Sequence, residues 1–171
     1  MLLSCENNIK EVNTLFHEEE HPEFWAKNAD YIFTDSTRLR YRALAPEVVQ
    51  INTAEQQYKE FPQGGKLIYY KKNGSIACQI RANYAKCFDK EELWELRGNV
   101  RAQDTIGQII NTELMFWDKK KKIIYSDKYV RLTSPEGNVI EGNGFSSDDQ
   151  MENIVIKQIT GELYLKDNNQ N

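Results

Sequence analysis

The segment WELRGNVRAQDTIGQIINTELMFWD, residues 94–118, is followed thirty residues later by IYSDKYVRLTSPEGNVIEGNGFSSD, residues 124–148. The same interval extends to both sides of these segments and needs no gaps. The residues that keep it are Ile80, Ile110 and Ile140; Ala82, Thr112 and Gly142; Trp94, Ile124 and Ile154; and Val100, Val130 and Thr160. A fixed period in this range is typical of stacked supersecondary units, none of which could bury its apolar face alone.

Within each unit, apolar and polar residues alternate as they do in β-strands with one buried face. An α-helical repeat would instead need apolar positions spaced by three and four. Two strands of roughly ten residues and two turns would fill one unit. Because thirty is an even number, every residue keeps its orientation from one unit to the next. We therefore expect the even-numbered apolar residues from Ile76 to Ile156 to share one inward face.

The region before the repeat carries weaker strand signals. Thr37–Tyr41 and Glu47–Ile51 are predicted strands around a turn at Ala45-Pro46. The polar segment Ala54–Gly65 is predicted to be a loop with room for a helical turn. Asn73-Gly74 is the strongest hairpin signal in the chain, because both residues tolerate the positive φ angles of a type I′ turn.

The chain divides by composition into three parts. Residues 1–30 are polar and acidic, and their few apolar residues recur at helical spacing, so this anchor or tether region is predicted to be a short helix or disordered. Residues 31–165 form the predicted β domain. Residues 166–171 are a polar tail with nothing to bury.

The overall composition limits the class of protein. The chain has 171 residues, of which 40% are hydrophobic and 28% charged, and this suits one domain with a real core. Its net charge of −4 gives no support for nucleic acid as a partner. No apolar run approaches the roughly 20 residues that cross a bilayer as a helix.

The cysteines do not make a disulfide framework. Cys78 and Cys87 are nine residues apart, so on one continuous strand they would face opposite sides of the sheet. They also lack the Cys-x-x-Cys spacing of many metal sites. Cys78 falls among the inward positions, and we interpret it as a small core residue.

Cys5 stands in a different context. The first five residues, MLLSC, resemble the end of a bacterial lipobox, in which the cysteine receives a lipid. The charged start and the long apolar core of an export signal do not accompany it. The polar residues that follow would suit a tether leaving a membrane. Cys5 is therefore the predicted lipid-attachment residue, and the alternative is an ordinary thiol in a frayed terminus.

Sequence motifs for catalysis are missing. No hydrolase, phosphate-loop, dinucleotide or zinc-protease motif occurs in the chain. His17 and His21 flank an acidic stretch that we interpret as solvated, and both precede the β domain. Carboxylate pairs such as Asp148-Asp149 fall in predicted turns. We therefore expect no enzyme activity, no metal site and no cofactor.

Two features leave alternatives open. Lys119–Lys122 is a basic run at a predicted hairpin tip, which is either a solvated turn that discourages edge aggregation or a contact for anionic head groups. Gly98, Gly142 and Gly144 fall at inward positions of predicted strands. Such glycines mark either curvature of the sheet or room for an apolar ligand.

Four motifs follow one another in the repeat region: WELRGNV at residues 94–100, LMFWD at 114–118, IYSD at 124–127 followed by Val130, and IEGNGFSSD at 140–148. Their order resembles that of the periplasmic domain of the LptC family, within the LptC/LptA (OstA-like) proteins of lipopolysaccharide export. The resemblance covers about Ile76 to Leu165, with a weaker continuation back to Tyr31. The order of the motifs is more specific than any one of them.

This resemblance implies a twisted antiparallel β-jellyroll, open along one side like a folded taco and built here from double-strand units of thirty residues. It implies a non-enzymatic periplasmic carrier that holds the acyl chains of lipopolysaccharide in an apolar groove. Such a protein docks on the inner-membrane ABC transporter and passes the lipid to an LptA-like partner through strand pairing at the sheet edge, which also permits self-association. LptC proteins usually carry an N-terminal transmembrane helix. Cys5 offers another anchor to the inner membrane.

The groove is expected to be lined by inward apolar residues, which would contact acyl chains without directional bonds. These are Ile80, Tyr84, Trp94, Leu96, Val100, Ile110, Leu114, Phe116, Ile124, Val130, Ile140 and Ile154. Two alternatives stay open. One is a structural β-protein with a closed, packed interior. The other is a surface lipoprotein that binds glycan through exposed aromatic residues such as Trp117, Tyr125 and Tyr129.

Overall fold

The computed structural model describes residues 22–53 and 56–160. In this part of the chain the regular structure is β, and eleven strands form one antiparallel sheet. The strands are β1 (Phe24–Asp35), β2 (Arg38–Asn52), β3 (Gln57–Phe61), β4 (Gly65–Tyr70), β5 (Ile76–Ala82), β6 (Tyr84–Phe88), β7 (Leu93–Asp104), β8 (Ile109–Asp118), β9 (Ile123–Thr133), β10 (Val139–Asp148) and β11 (Val155–Ile156). The all-β prediction is confirmed. Cys5, the two histidines and the tail lie outside the described residues.

The sheet is an up-and-down meander. At two positions in it, two short strands lie end to end in place of one long strand. β3 and β4 both pair antiparallel with β2, so together they form one broken line beside it. β5 and β6 are the two halves of the next line, and both pair with β7. The strands from β7 to β11 follow in chain order, and β1 lies on the other side of β2. Most neighbours in the sheet are therefore consecutive in sequence, as hairpin connections require.

The sheet folds over its apolar face, where aromatic rings from distant strands meet. The ring centroid of Tyr41 in β2 lies 5.4 Å from that of Trp117 in β8 and 6.1 Å from that of Trp94 in β7. Phe33 in β1 lies 6.5 Å from Trp94. These strands are not neighbours in the sheet, so two walls face each other across an apolar interior. The predicted taco-shaped antiparallel jellyroll is confirmed.

The thirty-residue period is a structural repeat. β7 begins at Leu93 and β9 at Ile123, while β8 and β10 end at Asp118 and Asp148. The turns between these strands also follow the period. The Lys119 amide donates a hydrogen bond to the Glu92 carbonyl at 3.0 Å, and the Asp149 amide donates to the Lys122 carbonyl at 3.1 Å. Successive units are therefore joined in the same way along one rim, which we call the turn ladder.

Once within each unit, the buried residues switch from even to odd numbers. These switches are themselves thirty residues apart. The chain leaves regular pairing at Asn83 between β5 and β6, and the register shifts beside Glu113 in β8 and beside Asn143 in β10. An irregularity of this kind turns the following residues to the other face. The prediction that even-numbered residues face inward is therefore wrong for the second half of β5–β6, β8 and β10. Odd-numbered residues are buried there: Ala85, Met115 and Phe145, then Cys87, Trp117 and Ser147.

Two predictions for the region before the repeat are wrong. No turn interrupts the chain at Ala45-Pro46, because β2 runs through it. Pro46 can lie within β2 because it makes no pair with β1: the pairing passes from Lys27–Glu47 to Ala29–Ala45, and Asn28 between them has a φ of 51°. The predicted loop Ala54–Gly65 contains β3, whose residues pair with β2 and β6. β1 crosses the predicted domain boundary at residue 31, so the sheet starts before it.

The hairpin at Asn73-Gly74 is confirmed, but its turn is not type I′. Type I′ needs a positive φ at both central residues, and only Gly74 has one, at 84°. The turn is closed by the Lys71 amide, which donates to the Ser75 carbonyl at 2.7 Å. The Asn73 side chain caps the turn by accepting from the Ser75 amide at 3.0 Å.

Candidate functional site

The inner face of the sheet carries continuous rows of apolar side chains. Residues paired across neighbouring strands point to the same face, so the register traces these rows directly. The longest row runs through Tyr31, Ala43, Leu67, Ile80, Ala102, Ile110, Leu132 and Ile140. It crosses both walls of the folded sheet, from β1 to β10. One apolar surface therefore extends through every repeat unit.

Aromatic rings fill the centre of this surface. Trp94 stacks on Phe61 at 5.4 Å between ring centroids, and Tyr69 meets Trp117 edge to face at 5.3 Å. The apolar cavity beside Trp94 has a volume of only about 20 Å³. That is little more than the space for one water molecule. The inner face is therefore packed against itself in this structure, and a ligand would have to part the walls.

The twelve residues predicted to line a groove fall into three groups. Seven are buried on the inner face: Ile80, Trp94, Leu96, Val100, Ile110, Ile124 and Val130. Ile140 and Ile154 are half-buried; Ile140 belongs to the long row, and Ile154 packs against the core. Tyr84, Leu114 and Phe116 lie on the outer face. Whether any of them contacts lipid stays a prediction.

The outward position of Tyr84, Leu114 and Phe116 follows from the recurring irregularity. Leu114 and Tyr84 are both paired with Arg97, which is exposed. Phe116 stacks on Tyr125 of β9 at 5.3 Å between centroids, outside the core. Their even numbers predict an inward position, and the face change before each of them turns the side chain outward.

The same face change accounts for core residues that the parity argument missed. Met115 and Phe145 are completely buried, and Ala85 is 7% exposed. They are thirty residues apart and apolar, so the period itself contained the signal that would have identified them. Phe61 and Tyr41, from strands before the repeat, were missed because no periodic signal marks them.

The inward glycines do not leave room for a ligand. A Cβ on Gly142 would overlap the Lys157 carbonyl and lie 2.6 Å from the Ile156 side chain, because the chain after β10 crosses over it. Gly98 and Gly144 have φ angles of 71° and 90°, in the region that favours glycine. Bulges and close backbone contact account for these glycines, so the interpretation as ligand space is wrong.

Fewer aromatic residues are exposed for glycan binding than the sequence predicts. Trp117 is only 3% exposed and belongs to the core, and Tyr125 is half-buried under Phe116. Tyr129 is 50% exposed. The predicted set of three exposed aromatic residues is therefore wrong for Trp117.

One rim of the fold is closed by polar contacts between the walls. The Tyr69 hydroxyl of β4 donates to Oδ2 of Asp149, in the turn after β10, at 2.9 Å. The Lys119 ammonium donates to the Tyr41 hydroxyl at 3.0 Å. Burial raises the pKa of Tyr69 to about 12 and also raises the pKa of the Asp149 carboxyl. These polar contacts join the two walls along this rim, which we call the mouth of the fold.

The described residues offer little for covalent or metal chemistry. Cys78 and Cys87 are free and buried, and burial raises the pKa of each thiol to about 12, far from the range of a reactive thiolate. Among the described residues no group of side chains is arranged to hold a metal ion. The same part of the chain has no helix of the length and hydropathy needed to cross a membrane.

The fold and its inner face define an all-β protein folded over one continuous apolar surface. The chain matches a family model described as lipopolysaccharide-assembly, LptC-related, over residues 1–164. It therefore belongs to the LptC family, whose members are transport proteins that act in lipopolysaccharide assembly. The match reaches beyond the repeat region that carries the resemblance, to the start of the chain. Comparison with curated proteins gave no match.

Proposed function

We propose that the protein is a non-enzymatic carrier in lipopolysaccharide export, which binds the lipid's acyl chains on its inner face. The observation that carries this proposal is the apolar row that crosses eight strand segments from Tyr31 to Ile140 without a charged side chain. Burying acyl chains there would contribute about 25 cal/mol for each Å² of apolar surface removed from water. Membership of the LptC family supports this ligand.

Acyl chains can enter only if the walls separate, because the interior is filled by aromatic side chains. The contacts across the mouth are few and polar, and they include Tyr69 with Asp149 and Lys119 with Tyr41. Opening there would expose Trp94 and Trp117 to the lipid while the strand pairing within each wall stays intact. We therefore place lipid entry at this rim.

The sheet edges would supply the contacts with partners. Among the described strands β1 pairs only with β2, and β11 pairs only with β10, so each leaves one edge unpaired. Unpaired strand edges can accept a strand from another chain. We propose that one edge docks on the inner-membrane ABC transporter and that the other passes lipid to an LptA-like bridge protein or to a second copy of this chain.

The proposed location is the periplasmic side of the inner membrane. Cys5 would be the point of lipid attachment, since the residues before it resemble a lipobox. Mass spectrometry of the protein purified from membranes tests this directly. A diacylglyceryl adduct on Cys5 supports the proposal, and an unmodified Cys5 thiol in membrane-bound protein contradicts it.

Photocrosslinking at two adjacent residues tests the lipid assignment. Met115 is buried on the inner face, whereas its neighbour Leu114 points outward beside Arg97. A photoreactive residue at 115 should capture lipopolysaccharide in cells, and the same residue at 114 should capture much less. Equal capture at both positions would refute binding on the inner face.

A structural β-protein with a permanently closed interior is the second candidate. The packed aromatic centre and the cavity of about 20 Å³ favour it. Native mass spectrometry separates the two functions. A carrier purified from its own cells shows an added mass that disappears when the lipid is extracted, and a closed structural protein shows none.

A further inference from the structure

Two adjoining cavities open at the rim where the walls meet. Their volumes are about 530 and 480 Å³, and both are lined by Arg40, Tyr69, Lys122 and Asp149. We call them the inner and outer rim cavities. The inner one continues to aromatic residues of the interior, among them Trp117. The outer one continues to the β4–β5 turn, and both open to solvent. Together they form a path from solvent to the apolar face.

The outer rim cavity is strongly basic, although the whole chain has a net charge of −4. Four cationic side chains line it, against one carboxylate, that of Asp149. The cationic residues are Arg40, Lys71, Lys72 and Lys122. Lys71 forms an ion pair with Glu152 at 3.0 Å. Within the described residues the other three form no ion pair, so their charge is available to a ligand.

These cations are brought together by the fold. Arg40 belongs to β2, Lys72 to the β4–β5 turn, and Lys122 to the β8–β9 turn. Lys122 is fixed by its place in the turn ladder, where its carbonyl accepts from the Asp149 amide and its φ is 55°. Arg40 lies over the Tyr69 ring, with its guanidinium carbon 5.9 Å from the ring centroid. A planar guanidinium beside two ammonium groups suits a phosphate group, which offers several acceptor oxygens.

The carboxylates of the region decide which cavity suits an anion. Asp35, Asp89 and Glu92 line the inner rim cavity, and their charges oppose a phosphate there. Asp149 is common to both cavities, but one of its oxygens accepts from the Tyr69 hydroxyl at 2.9 Å. An anion is therefore favoured in the outer cavity, close to solvent.

A buried donor without a partner lies beside the inner rim cavity. The indole nitrogen of Trp117 is buried and has no hydrogen-bond partner within the described part of the chain, although Trp117 lines this cavity. A buried N–H without an acceptor costs about 1–3 kcal/mol. Because this nitrogen is shielded from solvent, a ligand oxygen would reach it only after the surrounding side chains move.

We infer that the outer rim cavity binds a phosphate monoester group through Arg40, Lys72 and Lys122. In the arrangement that rests on the proposed function, this phosphate belongs to the lipid's head group. The head group then lies at the rim, while the acyl chains pass Trp117 toward the inner face. A soluble sugar phosphate has the same chemistry, and the experiment distinguishes the two sources.

The first arm uses ligands without acyl chains. Amide chemical shifts of the protein are followed during titration with inorganic phosphate and with glucosamine 1-phosphate. Shifts should centre on the β4–β5 and β8–β9 turns, and binding should weaken as salt is added. Arg40→Gln and Lys122→Gln should each weaken binding roughly tenfold, the loss expected for one charge-assisted contact. Asp149→Asn should strengthen it, because a carboxylate facing the anion is removed.

The matched control is Lys128→Gln, since Lys128 is exposed in β9 and its ammonium pairs with Asp127 at 3.6 Å. This variant changes the net charge by the same amount as Lys122→Gln and should leave binding unchanged. If Lys128→Gln weakens binding as much as Lys122→Gln, the effect is general electrostatics and the phosphate site is refuted.

The second arm compares lipid A that carries its phosphates with the dephosphorylated lipid. Tighter binding of the phosphorylated lipid, lost in Arg40→Gln, identifies the head group as the source. If only the sugar phosphate binds, the site stands with a soluble ligand, and the proposed carrier function fails. If both lipids bind equally well in wild type and variants, and the tail-free ligands cause no shifts, the phosphate site is overturned while lipid carriage stands.

Discussion

The hydroxyl of Tyr69 donates a hydrogen bond of 2.9 Å to the carboxylate of Asp149, which lies eighty residues later in the chain. The bond is buried, and it connects β4 in one wall of the folded sheet to the turn that follows β10 in the other. Together with the hydrogen bond from Lys119 to the Tyr41 hydroxyl and the ion pair between Lys71 and Glu152, this bond gives the contact between the walls a direction that their apolar contacts lack.

Replacing Tyr69 tests the importance of that bond. Tyr69→Phe keeps the ring against Trp117 but leaves the Asp149 carboxylate without its donor. We expect the free energy of unfolding, measured with urea, to fall by roughly 1–3 kcal/mol, the cost of an unsatisfied buried polar group. Tyr129→Phe on the exposed outer face is the control and should change it by less than about 0.5 kcal/mol. If both variants lost the same free energy of unfolding, the buried bond would contribute no more than an exposed hydroxyl.

Asp149 should make stability depend on pH. Burial raises the pKa of its carboxyl above the ordinary value of 3.8, so the folded state holds this proton more tightly than the unfolded state. The contribution of Asp149 to stability is then most favourable below that value and declines as the pH rises through the folded pKa. Asp149→Asn should therefore stabilise the protein relative to wild type at pH 7, as measured by urea unfolding.

The difference between Asp149→Asn and wild type should shrink as the pH is lowered toward 3.8, where the wild-type carboxyl is protonated as well. A variant that is less stable than wild type at pH 7 and equal to it in acid would mean that the charged carboxylate stabilises the fold. That outcome would reverse the sign argued from burial.

Adjacent residues in β8 should respond very differently to truncation. Met115 is fully buried, whereas Leu114 faces outward beside Arg97. Met115→Ala should lower the free energy of unfolding by roughly 2–5 kcal/mol through the cavity that it leaves. Leu114→Ala should cost less than about 1 kcal/mol. The reverse order would place the face change of β8 elsewhere.

Gly142 should be needed for the docking of β11. Gly142→Ala places a Cβ against the Lys157 carbonyl and the Ile156 side chain. The chain after β10 should detach, and the Lys157 and Thr160 amides, which donate to β10 carbonyls, should exchange hydrogen faster. Gly74→Ala is the control, since its Cβ would meet open space while its φ of 84° is strained. It should lower global stability by roughly 1 kcal/mol without selective loss at those amides.

The buried thiols should be inert in the folded protein. Cys78 is 1% exposed, and its pKa is raised to about 12 chiefly by burial. A maleimide reagent should therefore label Cys78 and Cys87 only after denaturation. Rapid labelling of either thiol under native conditions would mean that the walls open often enough to admit the reagent.

The repeat shows how far sequence alone determines this fold. The period predicted the strand class and the inward position of residues such as Ile80, Ile110 and Val130, because an even repeat preserves orientation between units. It did not reveal the face change beside Glu113. The repeat preserves orientation only between units, whereas the prediction also assumes that even-numbered residues face inward along the whole of each unit. Comparing Ala85, Met115 and Phe145, which are all apolar, would have shown that the inward set becomes odd-numbered there.

The first half of the sheet was harder to predict for a different reason. β1, β2 and β3 have no repeat, and their burial depends on contacts with strands far along the chain, such as Tyr41 with Trp117. Pro46 predicts a turn because proline removes a donor, but the pairing of β1 with β2 skips Asn28 and Pro46, so that donor is not needed. Long-range pairing, which sequence pattern does not encode, decided these elements.

The turn ladder bears on how such a protein can change in length. Because each turn is tied to the turn thirty residues away by the same backbone bond, the segment from Leu93 to Lys122 is an interchangeable module. Duplicating it would insert two strands and widen the apolar surface, while the strands at both ends of the sheet would keep their neighbours. Evolution can thus fit this protein to longer or bulkier cargo by changing the number of repeat units, while both sheet edges keep their sequence.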